Sequence, residues 1–269
     1  MLQEFLTHLL TPAPLYVKKM GYLRELIAIS ARYKRCKAHW QSHLNACKGL
    51  ILKAIELCPG RKQVVVLGSG LLLDIPLSEL SQGFEEVLLV DIVHLPFTRR
   101  MALQYANVSV LSADVTGVAE AIYKLKGVLP DVWASRSIGL PGCESRPDLV
   151  ISANILSQLP LCPSSFLANR CHLEEQVIND WAKGLVIDHL VQLSKLSCVV
   201  CLITDQRLFF QNAAGVTYAA QDSLHGVVPK EWLSGIKHQD TWLRQMAPLG
   251  EFSRDWAVTL EVLGLISSR

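Results

Sequence analysis

The sequence predicts a doubly wound, mostly parallel α/β sheet with a terminal antiparallel hairpin, preceded by a helical segment. Three observations carry this. Apolar runs alternate with amphipathic stretches from residue 63 onward. The first run, "QVVVLGSGLLLDIP", drives four apolar residues into Gly68-Ser69-Gly70. The chain then closes on two strand-like stretches close together. Strand, helix, strand, helix is the signature of a parallel sheet covered on both faces.

Residues 1–60 read as a helical cap and carry no strand-like alternation. The clearest helix runs from Tyr22 to Leu57, with a break near Ser30, and Pro59-Gly60 stops it. The strands that follow are Val64–Leu67, Glu86–Val90, Val108–Leu111, Asp148–Ser152 and Cys198–Thr204. Helices lie near Leu77–Gln82, Pro96–Tyr105, Val118–Lys126 and Glu174–Leu196. "TWLRQMAPLGEF" and "DWAVTLEVLGL", separated by Pro248-Leu249-Gly250 and Ser253, form the terminal hairpin. The chain therefore divides into a cap, 1–60, and a sheet domain, 61–269.

Composition narrows the function classes. Half of the 269 residues are hydrophobic and 19% are charged, enough for a substantial core and too apolar for disorder. With 26 basic and 24 acidic residues the formal charge is +2, which makes no case for an obligatory nucleic-acid partner. Eight cysteines scattered through apolar segments read as free thiols of a cytoplasmic protein. The N-terminus makes a poor signal peptide, and no apolar window reaches the roughly 20 residues of a membrane span. Oligomeric state leaves no mark in the sequence.

The glycine loop is the first functional signal. Gly68 and Gly70 leave room for a ligand at the backbone, and ligands of open parallel sheets sit beyond the carboxyl ends of the strands. Pro76 opens the next helix, with Asp74 in position to cap it. A plain strand-turn-helix connection uses the same residues, so the loop alone identifies no ligand. The second strand, "EEVLLVDIVHL", ends its apolar run at Asp91, where a carboxylate can accept both hydroxyls of a ribose. The third, "NVSVLSADVTG", ends near Asp114.

On "VVVLGSG", "VLLVDI", "LSADV", "PDLVISANILSQLP" and the final hairpin, residues 61–269 resemble the class I S-adenosylmethionine-dependent methyltransferases. The resemblance implies seven strands, the last antiparallel and inserted beside the fifth. It implies S-adenosylmethionine as cofactor, with Gly68, Ser69 and Gly70 at its methionine part and Asp91 on the ribose. Ile92 would pack on the adenine face, Asp114 would meet its edge, and Asn154 would lie beside the transferable methyl group. The chain lacks the Asn/Asp-Pro-Pro-aromatic signature of enzymes that methylate DNA bases or glutamine. Apolar Val65 and Val66 stand where that family places an acid before the glycines.

Methyl transfer needs alignment above all, because the sulfonium is already electrophilic. A base is required only where the acceptor must lose a proton. Candidates are Asp205, after "VVCLIT", His94, and His225 in "DSLHGVV". The reading is a methyltransferase with a small-molecule acceptor. Its rivals are a noncatalytic binding or scaffolding protein on the same fold and an NAD(P)-dependent oxidoreductase. Leu73 in place of a third glycine and the terminal hairpin argue against the latter.

One helix stripe stands apart. In "RCKAHWQSHLNAC", Cys36, His39, His43 and Cys47 recur at spacings of three, four and four. His39 and His43 could share a zinc ion, but all four cannot, since the stripe spans about 16 Å. The expectation is an apolar stripe packed on the sheet without metal, or one histidine reaching the cleft. Cys198 and Cys201, three apart on a strand, should face opposite sides of the sheet as core residues.

Overall fold

The computed structural model describes residues 2–125, 139–171 and 173–268. Three helices lead: α1 (Leu2–Leu10), α2 (Leu15–Lys19) and α3 (Tyr22–Leu57). There follow β1 (Gln63–Leu67), α4 (Leu77–Gly83), β2 (Glu86–Asp91), α5 (Pro96–Ala102), β3 (Val108–Ser112), α6 (Ala119–Tyr123), β4 (Leu149–Ala153), α7 (Leu161–Cys171) and α8 (Glu175–Ser194). The chain ends in β5 (Val199–Gln211), β6 (Thr217–Asp222), β7 (Ile236–Ala247) and β8 (Ala257–Ser267).

The strand order is β3-β2-β1-β4-β5-β8-β7. The pairs joining β1 to β5 and β3 are all parallel. β8 lies antiparallel between β5 and β7, the arrangement the methyltransferase resemblance implies. The sheet holds one strand more than the expected seven: β6 pairs antiparallel with the far half of β5.

The strands are legible because they are buried on both faces, so they are continuous apolar runs. Val64 and Val66 enter a core beneath α3, with Leu89, Ile151, Ile203 and Val262. Val65 and Leu67 point the other way, into a core with Val150, Leu202 and Leu265 beneath α8. Cys201 belongs to the first layer and Cys198 borders the second, on opposite faces as their spacing requires.

Helix α3 is 36 residues long and bends at Cys36 (φ −106°, ψ 16°), one and a half turns beyond the expected break at Ser30. Its second half lays Cys47, Leu50, Ile51 and Ala54 on the sheet. α6 covers only part of the expected 118–126 helix, and Lys126 lies outside the described residues. Among the described residues no helix is long and apolar enough to cross a membrane.

Candidate functional site

The loop after β1 is built on backbone that side chains would obstruct. Gly68 (φ +79°) and Gly70 (φ +49°) are left-handed. A Cβ on Gly68 would stand 2.7 Å from Ile155 Cβ and 2.9 Å from the Ala153 carbonyl. The Gly68 and Ser69 amides donate to the Val90 carbonyl at 2.9 and 3.1 Å, which clamps the loop to the end of β2. Asp91 completes the clamp. Its Oδ2 accepts from the Gly70 amide and its Oδ1 from the Ile92 amide, both at 2.8 Å. Burial pushes this carboxyl up to about 6, against the pull of those backbone donors. Three backbone donors, Gly70, Ile92 and Val93, face this carboxylate, which has about four acceptor sites, so capacity for a ribose hydroxyl remains.

His94 is a strut beneath this loop. It is fully buried, with Nε2 2.9 Å from Ser69 Oγ and Nδ1 3.2 Å from Ser112 Oγ. Burial and the neighbouring Arg99 bring its pKa down to about 4, so it stays neutral. Both ring nitrogens of this candidate base are engaged by serine hydroxyls.

Further along the edge, Ile92 and the N-terminal Tyr16 and Tyr22 pack against the same two clusters of buried residues. Asp114 organises the entry to α6. Its Oδ1 accepts from the Thr116 amide (2.9 Å) and hydroxyl (2.7 Å), and its Oδ2 from the Ala119 amide (2.8 Å). Burial first, and then the Asp114 charge, raise the Tyr22 phenol above its ordinary range.

The loops after β1 and β4 meet the middle of β5 beneath α3 in a polar cluster. Asn154 adopts φ +51° and is 7% exposed. Its amide Nδ2 donates to Asp74 Oδ2 at 2.6 Å and lies 3.8 Å from Cys47 Sγ. Asp74 does not cap α4 as the sequence suggests: that helix starts at Pro76 without a side-chain cap, and the carboxylate turns to Asn154 instead. Asp205 is buried on the same face. Burial raises its pKa, Arg244 lowers it, and Asp74 raises it.

His43 is the stripe residue that enters this cluster. Trp242 Nε1 donates to its Nδ1 at 3.0 Å, and burial, then Arg244, lower its pKa to about 3. His39 is exposed and bonds Gln245 at 2.7 Å. Ligand atoms of His43, Cys47 and Asp74 lie within 4.8 Å of one another, a triad that helix spacing alone does not reveal because Asp74 comes from the glycine loop. His225 (φ +53°) sits in the turn after β6, where Leu224 and Val227 enter the core on the opposite face of the sheet. That placement separates it from the α3-side cluster.

No family profile matches the chain, and no curated protein does. Among solved structures it is similar to the N-methyltransferase NodS of Bradyrhizobium japonicum WM9 in complex with S-adenosyl-L-homocysteine. That match is 11% identical, covers 84% of this chain and 87% of the other, and has a TM-score of 0.39. It is similar to the Burkholderia thailandensis 1,6-didemethyltoxoflavin-N1-methyltransferase (14%, 91% and 90%, 0.39). It is also similar to precorrin 8W decarboxylase of Methanobacterium thermoautotrophicum (14%, 82% and 89%, 0.34). At these values the reading of the fold rests on the sheet order itself.

Proposed function

We propose that this chain is a methyltransferase that uses S-adenosylmethionine and acts on a small-molecule acceptor. The observation that carries the reading is the clamp of the glycine loop by Asp91, in a sheet whose antiparallel β8 lies between β5 and β7. A nicotinamide enzyme with a dinucleotide fingerprint would need a third glycine, where this chain has Leu73. The eight cysteines, all free thiols, fit a reducing cytoplasm.

The residues present fit the cofactor. Gly68 and Gly70 expose backbone to its amino-acid end, and Asp91 retains acceptor capacity for a ribose hydroxyl. Ile92 offers an apolar face to the adenine, and Asp114, already holding the start of α6, borders its edge. Asn154 lies at the end of β4, beside the reacting position. S-adenosylmethionine, when bound, supplies the electrophilic methyl group. The chain's own part is to align and to exclude water, and Tyr16 and Tyr22 share the clusters of Ile92 at the adenine end. Asp205, buried on the same face, is the candidate to take a proton from an acceptor that must lose one.

Calorimetric titration tests this. S-adenosylhomocysteine should bind and NAD should give no heat; the reverse would sink the reading. Affinity should also depend on pH. With a carboxyl pushed up to about 6, Asp91 is ionised above that value and protonated below it. The diol needs the ionised form, so S-adenosylhomocysteine affinity should fall as pH drops from 7 to 5. A flat profile would place the ribose elsewhere.

A further inference from the structure

Two buried oxygens in the polar cluster beneath α3 lack partners: Oδ1 of Asn154 and Oδ1 of Asp205, residues each 7% exposed. They are neighbours in the fold, since the Asn154 amide is bonded to the carbonyl of Ile203, two residues before Asp205. The orientation of Asn154 is fixed. Asp74 can only accept, so the amide nitrogen faces it and Oδ1 faces away. Buried acceptors without donors call for a donor from outside the chain.

We propose that Asp74, Asn154 and Asp205 form a receptor for a protonated amine. The placement beside the reacting position rests on the methyltransferase reading. An ammonium carries three N–H donors, and this cluster is short of donors. The groups facing it are His43 and Cys47 from α3, Asp74 from the glycine loop, Asp205 from β5 and Arg244 from β7. His43 is neutral and burial keeps Cys47 a thiol, so Asp74, Asp205 and Arg244 are the groups that can carry charge. Burial raises the Asp205 carboxyl, and an ammonium beside it would favour its ionised form.

A metal ion on His43, Cys47 and Asp74 fits less well. Neutral imidazole has one lone pair, and here the Trp242 indole N–H occupies it. Ligation through the other nitrogen would put a proton on Nδ1, facing an indole that can only donate.

The ammonium has two sources: the amino-acid end of the cofactor, or the acceptor. Titrating the full chain with S-adenosylhomocysteine, which has that ammonium, and with 5′-methylthioadenosine, which lacks it, tells them apart. If the cofactor fills the pocket, Asp205→Asn and Asp74→Asn each lose about 10-fold or more in S-adenosylhomocysteine affinity and keep wild-type affinity for methylthioadenosine. If the acceptor fills it, both nucleosides bind the variants normally. Millimolar ethylamine, but not ethanol, then stabilises the wild-type protein against heat, and either substitution abolishes the effect. The proposal fails if neither pattern is seen in variants that melt like wild type. It fails equally if the purified protein holds one zinc per chain that His43→Ala removes. A wild type that binds neither nucleoside would overturn the methyltransferase reading, and the ethylamine arm would still decide the pocket.

Discussion

Trp40→Ala is expected to destabilise the fold by about 3–5 kcal/mol, the usual loss for a large aromatic taken from a core. Trp40 is 1% exposed and joins α3 to the far end of the sheet. Its indole packs with Cys36 and Leu44 of its own helix and with Leu73 and Met246. Its Nε1 donates to the Met246 carbonyl at 3.0 Å, and the Arg244 guanidinium lies 4.6 Å above its ring. Alanine leaves a cavity, an unpartnered carbonyl and an arginine without its platform. Trp40→Phe keeps most of the apolar area and loses the hydrogen bond, so it should cost clearly less. Denaturant unfolding measures both. A loss below about 1 kcal/mol for the alanine variant would mean that α3 is not anchored through this residue.

Asp91→Ala should weaken S-adenosylhomocysteine binding by about 1.5–3 kcal/mol, the range for hydrogen bonds to a charged group. Two effects add. The diol loses its acceptor, and the Gly70 and Ile92 amides lose theirs, which loosens the loop the ligand must lie on. Adenosine retains the diol and lacks the amino acid, so it should lose about as much. Calorimetry on a variant with a native circular dichroism spectrum provides the check. Unchanged affinity there would refute the ribose role.

The sheet could be read from the sequence because its central strands are buried on both sides and leave unbroken apolar runs such as Val64–Leu67. Where burial fails, legibility fails with it. β6, with six exposed residues, has no apolar alternation to announce it. β5 continues to Gln211, although Asp205, Gln206 and Arg207 look like the polar end of a strand. Pro163 hides α7, whose first turn accommodates it. The same contrast holds at the site. Gly68, Gly70 and Asp91 are legible because each marks the end of a run. The meeting of Asp74, Asn154, Asp205 and His43 is not, because it joins two loops, a strand and a helix that only the strand order brings together. For His94 the sequence shows a lone histidine, and only the fold reveals that two serine hydroxyls flank its ring.

The insertion of β8 between β5 and β7 sets an order of assembly. β7, made first, has no neighbour in the sheet until residues 257–267 have been synthesised, because β8 alone joins it to β5. The chain must therefore hold a twelve-residue strand unpaired through that interval. Closing this edge requires contacts between segments far apart in sequence, the slow kind of step in β-sheet folding. The nascent protein is most exposed to aggregation there. The exposed polar residues Lys237, Gln239 and Asp240 of β7 are suited to that wait.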